Sequence, residues 1–200
     1  MLVFWKEKLV FLAVPKTGTT ALEAALAPHA AIVIRDPPEL KHSAVYRYRR
    51  WLQPFFEKAG GQTMETMAVV RQPVDWLKSW YKYRHRDGLV GHPNSTRDID
   101  FDTFVDDFCR ADPPPHAKVG SQAKFLLEES GSLGVDHLFQ YEDQGRLMTF
   151  LEARLGLRPE VRRLNVSPAL TLELSPETHQ RLLRKRPEEF AVWEMGGKIA

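Results

Sequence analysis

"LVFLAVPKTGTTALEAALA", residues 9–27, carries a short apolar run into a proline, a lysine, a glycine and three threonines, then into good helix formers. Residues 9–14 lack any polar alternation, the pattern of a strand buried on both faces of a parallel sheet. "TTALEAALA" opens on hydroxyl residues able to cap a helix. Strand, loop and helix therefore follow one another directly, as half of a βαβ unit. In an open α/β sheet, ligands bind beyond the carboxyl ends of the strands, where helix N-termini present unpaired N–H groups. The loop is built for an anion there: Gly18 permits close backbone approach, Thr19 and Thr20 supply hydroxyls, and Lys16 supplies a mobile charge.

The remaining pattern extends this unit. "AAIVI" at 30–34, "METMAVV" at 64–70 and "DHLFQ" at 136–140 are further strand candidates, with a helical stretch rich in Tyr, Arg and Trp between the first two. Pro73 suits the first turn of a helix that Gly88 would terminate, and Trp76, Trp80 and Tyr83 repeat along it at helical spacing. Phe101, Phe104, Val105 and Phe108 mark another amphipathic helix, Leu147, Phe150, Leu151 and Leu155 a further one, and the last forty residues read as a loop and one or two helices. Alternation of strands and helices predicts an α/β fold, a mainly parallel sheet flanked by helices with a helical C-terminal region. A length of 200 residues favours one domain, 1–200, able to bury roughly 70% of its unfolded surface.

The bulk numbers exclude several classes. A net charge of +2 is too small to imply a nucleic-acid partner, although "YRYRRW" and "YKYRHR" bunch basic residues locally. The early apolar segments are broken by "KEK" and end at Pro15, so neither a membrane span nor a signal peptide is expected. A single cysteine, Cys109, suits a reducing compartment, and the expected location is cytoplasmic. No metal is expected, because the histidines lack metal-like spacing and "DIDFD" at 98–102 has Thr103 and Cys109 where a calcium loop needs glycine and glutamate.

A Walker A loop would require glycine at positions 10 and 15, which are Val10 and Pro15. The proline-led "PKTGTT" instead resembles the 5′-phosphosulfate loop of sulfotransferases, which use 3′-phosphoadenosine-5′-phosphosulfate (PAPS) and release 3′-phosphoadenosine-5′-phosphate (PAP). "VVRQPVDWLKSWY" at 69–81 is similar to that family's strand-to-helix segment, in which an arginine and a serine eight positions later hold the 3′-phosphate. "SQAKFL", "LFQYEDQGRLMTFLEARLGL" and "RLNVSP" resemble later segments of carbohydrate-type and bacterial members. The resemblance implies a P-loop-like α/β fold, a PAPS-binding set of Lys16, Thr17, Gly18, Thr19, Thr20, Arg71 and Ser79, and a soluble, bacterial relative without the anchor of Golgi members.

Sulfuryl transfer is an in-line displacement governed by positioning and charge stabilisation, as phosphoryl transfer is. Lys16 is the expected stabiliser of the leaving nucleotide, with backbone donors of Thr17 to Thr20 on the 5′-phosphate. The base for a hydroxyl acceptor is expected at His42 in "ELKHSAVYRY", a stretch that resembles the histidine-bearing segment of heparan-type 6-O-sulfotransferases, with Glu39 and Glu65 as alternatives. The acceptor, a small molecule, a lipid or a carbohydrate, is not specified by loop composition. A nucleotide-dependent phosphotransferase and a non-catalytic nucleotide-binding module are the competing classes.

Overall fold

A computed structural model describes residues 1–159 and 170–198. The segment "RLNVSP" at 163–168 lies outside them. Five strands form one sheet: β1 (Leu2–Phe4), β2 (Leu9–Leu12), β3 (Ile32–Val33), β4 (Glu65–Val70) and β5 (His137–Gln140), in the order β3-β1-β2-β4-β5. β2, β4 and β5 run parallel, whereas β1 pairs antiparallel with both β2 and β3. The expectation of a mainly parallel sheet is thus corrected to a mixed one. "KEK" forms the tight turn of a β1–β2 hairpin, in which Lys8 takes φ 52° and its N–H donates to the Trp5 carbonyl at 3.3 Å. That hairpin takes up the edge of β2 that a second parallel strand would need, and "AAIVI" pairs one strand further out.

The helices are α1 (Thr19–Leu26), α2 (Pro38–Lys41), α3 (Val45–Arg47), α4 (Gln53–Gly60), α5 (Pro73–Arg84), α6 (Phe101–Phe108), α7 (Gln122–Leu126), α8 (Gln144–Leu155), α9 (Pro176–Lys185) and α10 (Pro187–Lys198), with a π-helical turn, Tyr48–Leu52, joining α3 to α4. The period of two along the strands divides the core. Leu9, Phe11, Met67 and Val69 pack with Leu22, Leu26, Leu147 and Leu151 of α1 and α8. Val10, Leu12, Ala68 and Val70 pack on the opposite face with Tyr48, Phe56, Leu126 and Val192. A third cluster, around Trp76, Leu77, Tyr81, Phe104 and Leu182, joins α5, α6 and α9.

Pro73 opens α5 as expected, but the helix ends at Arg84 rather than near Gly88. The Arg84 carbonyl, which the Gly88 N–H would need for the helix to continue, accepts instead from Thr96 N–H at 3.3 Å, and the Thr96 hydroxyl pins the returning loop to the Tyr81 carbonyl at 2.9 Å. Among the described residues no helix is long and apolar enough to cross a membrane.

Candidate functional site

Three parallel strands deliver one residue group each to their carboxyl edge. β2 leads into Pro15–Gly18, β4 into Arg71, and β5 into Tyr141. The loop after β2 is held from below and from the side. Thr17 is fully buried, and its hydroxyl donates to the Val14 carbonyl at 2.9 Å. Trp76 of α5 donates its indole N–H to the Pro15 carbonyl at 2.9 Å. The Thr17 side chain is therefore spent on the loop, and only its backbone N–H remains for a ligand.

Lys16 and Gly18 both adopt left-handed backbone, φ 66° and 75°. A Cβ on Gly18 would stand 2.8 Å from Cε2 of Tyr141, so glycine is required by conformation and by space. Gly18, not a hydroxyl residue, is the N-cap of α1, and no side chain caps the helix. The expected capping role of the threonines is corrected accordingly: Thr19 is buried and Thr20 is exposed, and the first N–H groups of α1 are left for an external acceptor.

Arg71 closes the cradle. One guanidinium nitrogen, Nη1, lies 3.4 Å from the Lys16 carbonyl, its Cζ stands 4.6 Å from the centre of the Tyr141 ring, and its Nε is buried without a hydrogen-bond partner among the described residues. An orphaned guanidinium donor on a side chain that touches the loop leading into an uncapped helix fits an anionic ligand. None of Lys16, Arg71 and Arg86 forms a salt bridge with a carboxylate of the described residues. Ser79 is half-buried on α5, and no hydrogen bond joins it to Arg71 among the described residues. It stands one helical turn before Tyr83.

The Lys16 ammonium rests on aromatic faces, 3.1 Å from the Tyr83 ring centre and 5.0 Å from that of Trp80. Burial, then the neighbouring charges of Arg86 and Arg84, lower its pKa to about 7. His42, at the C-terminus of α2, makes a 2.7 Å hydrogen bond through Nδ1 to the Ala13 carbonyl, directly beneath the loop. A carbonyl only accepts, so Nδ1 carries the proton and the neutral ring keeps Nε2 as its basic nitrogen. Burial pulls the His42 pKa below its usual value, against the opposing pull of the Ala13 bond. Its neighbour Lys41 is anchored to buried Glu23 of α1 at 2.8 Å. Glu65 is removed as a base candidate. It starts β4, the far end of the strand from Arg71, and pairs with His137 and Arg154 at 2.7 and 2.9 Å. Glu39 stays exposed on α2.

The backbone of Arg71 is clamped by residues that the sequence did not single out. Gln122 of α7, fully buried, accepts from Arg71 N–H at 2.9 Å and donates to its carbonyl at 2.8 Å. Gln122 N–H and the Ser121 hydroxyl in turn donate to Glu189 of α10. The next residue, Gln72, donates its N–H to Glu142 at 2.9 Å, and Trp193 of α10 donates to the same carboxylate at 3.1 Å. Gln122 lies inside the quoted "SQAKFL"; Glu189, in "PEEF", carries no local signal at all.

Glu189→Ala is expected to strand the Gln122 N–H, destabilising the protein by about 2–3 kcal/mol and lowering Tm by about 4–12 °C in thermal denaturation. Burial raises the Glu189 pKa from 4.5 to about 6. The folded chain therefore holds the proton more tightly, and this contribution to stability is present below pH 4.5 and lost as pH rises through about 6. Glu189→Gln should flatten that limb of the melting-temperature profile.

No protein-family model matches the chain, and no curated protein sequence matches it. Among the described residues no group of His, Cys, Asp and Glu gathers to hold a metal ion.

Proposed function

We propose that this chain is a sulfotransferase that moves a sulfuryl group from PAPS to a hydroxyl, or an amine, of a small-molecule or carbohydrate acceptor. The observation that carries the proposal is the convergence of two sequence-distant segments of anion-suited residues, the Lys16 loop and Arg71, at the carboxyl ends of adjacent parallel strands. The P-loop-like character of the fold is part of the same proposal: β2, loop and α1 on one side, β4 and α5 on the other.

In this reading the donor supplies a sulfuryl group on a good leaving group. The N–H groups of Gly18, Thr19 and Thr20 bind its 5′-phosphate, and Arg71, through Nε and the guanidinium edge now resting on Tyr141, binds the 3′-phosphate with Ser79. Lys16 leaves the Tyr83 ring for the bridging oxygen and carries the positive charge against which negative charge develops. His42 takes the acceptor's hydroxyl proton on Nε2.

Calorimetric titration tests the binding half. PAP should bind more tightly than AMP, and magnesium-ATP should gain nothing from the metal. Arg71→Ala should weaken PAP about 10- to 100-fold while leaving AMP nearly unchanged, because it removes charge-assisted bonds to the 3′-phosphate alone. Equal affinity for PAP and AMP, or preference for magnesium-ATP, would overturn the assignment in favour of a phosphotransferase or a generic anion site.

A further inference from the structure

Four of the seven exposed large apolar side chains among the described residues, Leu40, Tyr46, Trp51 and Phe55, fall within sixteen residues of chain. They lie on α2 and on the continuous helical run from α3 through the π turn to α4. The inward side of this run is ordinary, with Val45, Tyr48 and Phe56 buried in the core. The outward side is not: Trp51 is 58% exposed and Phe55 63%, where an amphipathic surface helix would carry polar residues.

The π turn changes how these positions are set around the run. In regular α-helix Tyr46, five residues before Trp51, would be swung well away from it. Hydrogen bonding from i to i+5 widens the turn and draws the two toward one side, with Phe55 one turn further along. Two cations ride on these rings: Arg47 lies 5.5 Å from the Tyr46 ring centre and Arg50 5.6 Å from that of Trp51. The run's own carboxylate, Glu57, accepts from Gln53 at 2.9 Å, and Arg49 turns aside to Glu128.

We infer that this face is a peripheral docking surface for an anionic lipid membrane. Rings exposed along a helix lying flat suit the boundary between headgroups and acyl chains, and guanidinium groups reaching past them suit lipid phosphates. A second copy of the chain is a poor occupant, since a two-fold contact would set one arginine-bearing face against another. A single-stranded nucleic acid could stack on the rings, but it is bound in basic grooves, and this face is the convex side of a helix. A soluble polyanion would engage the arginines and leave Trp51 and Phe55 in water. His42 stands three residues before the run, so docking would bring the membrane beside the acceptor side of the site. The inference itself requires no sulfotransferase activity.

Co-sedimentation of the full chain with vesicles tests it. Binding is expected to phosphatidylcholine vesicles containing phosphatidylglycerol and not to phosphatidylcholine alone. The double variant Trp51→Ser, Phe55→Ser should lower partitioning at least about tenfold, and Arg47→Gln or Arg50→Gln about fivefold each. Trp51, Phe55 and Arg50 are exposed, so thermal melts of those variants should match the parent, whereas Arg47→Gln also gives up a 3.3 Å bond from a half-buried side chain to the Glu39 carbonyl and should melt slightly lower. Equal partitioning of the double variant, no binding to anionic vesicles, or tighter binding of an oligonucleotide or dissolved polyphosphate than of vesicles would each overturn the inference.

Discussion

Lys16→Met should reduce sulfuryl transfer by about 10²- to 10³-fold, the cost of removing one preorganised stabiliser of developing charge, while the protein stays folded. The aliphatic stem is retained, so packing against Tyr83 and Trp80 survives. The variant also separates two pH effects. With its pKa lowered to about 7, the free-state lysine binds protons less readily than the unfolded chain does. Its contribution to stability is therefore present above the usual 10.5 and lost as pH falls through about 7. Lys16→Met should be the more stable protein at pH 6, with the difference vanishing in strongly alkaline solution. Binding of a dianionic nucleotide reverses the balance by pulling the ammonium off the ring and raising its pKa. Above pH 7 binding must then take up a proton, and affinity should weaken by up to about tenfold per pH unit. Calorimetry in buffers of different ionisation enthalpy would measure that uptake. If the parent takes up no proton, or if Lys16→Met turns over normally, Lys16 is a spectator resting on two aromatic rings.

The parts of this site written in local pattern were legible. "LVFLAV" is a doubly buried strand because Leu9 and Phe11 pack on one face and Val10 and Leu12 on the other, and an unbroken apolar run is how that looks in sequence. The loop could be read from residue chemistry, and Arg71 from its place after "VV". β1 was missed because "LVF" is too short to be periodic and "KEK" resembles a break rather than a hairpin turn. With β1 went the antiparallel half of the sheet, since partner choice is a property of the assembled sheet and not of any one strand. Thr17 is the counterpart inside the loop. Its residue type suits a ligand, but only the fold reveals that its hydroxyl points back to Val14. The Gln122–Glu189 clamp spans 67 residues of sequence and leaves no periodic trace, so no reading of "PEEF" alone would have tied it to Arg71.

His42→Ala should lower turnover by about 10²- to 10⁴-fold with little change in PAP affinity, because the imidazole would act on the acceptor and not on the donor. Alanine also deletes the hydrogen bond to Ala13, so loss of activity alone would not distinguish a base from a strut. His42→Asn is the sharper variant: its side-chain amide can still donate to that carbonyl, but it has no nitrogen able to take a proton. If His42 acts as a base, asparagine should be as inactive as alanine while melting like the parent. The pH profile adds a second reading. His42 must be neutral, and its pKa lies below 6.5, so the acidic limb of kcat/KM should fall below that pH. Lys16 must be charged, and in the free enzyme it loses its proton near pH 7, so the alkaline limb of kcat/KM should begin there. The window is narrow in kcat/KM and should widen on its alkaline side in kcat, where bound donor holds the proton on Lys16. The asparagine variant should lose the acidic limb alone. A variant that keeps both the limb and the rate would reduce His42 to a support for the β2 loop and return the search for the base to Glu39, exposed on α2.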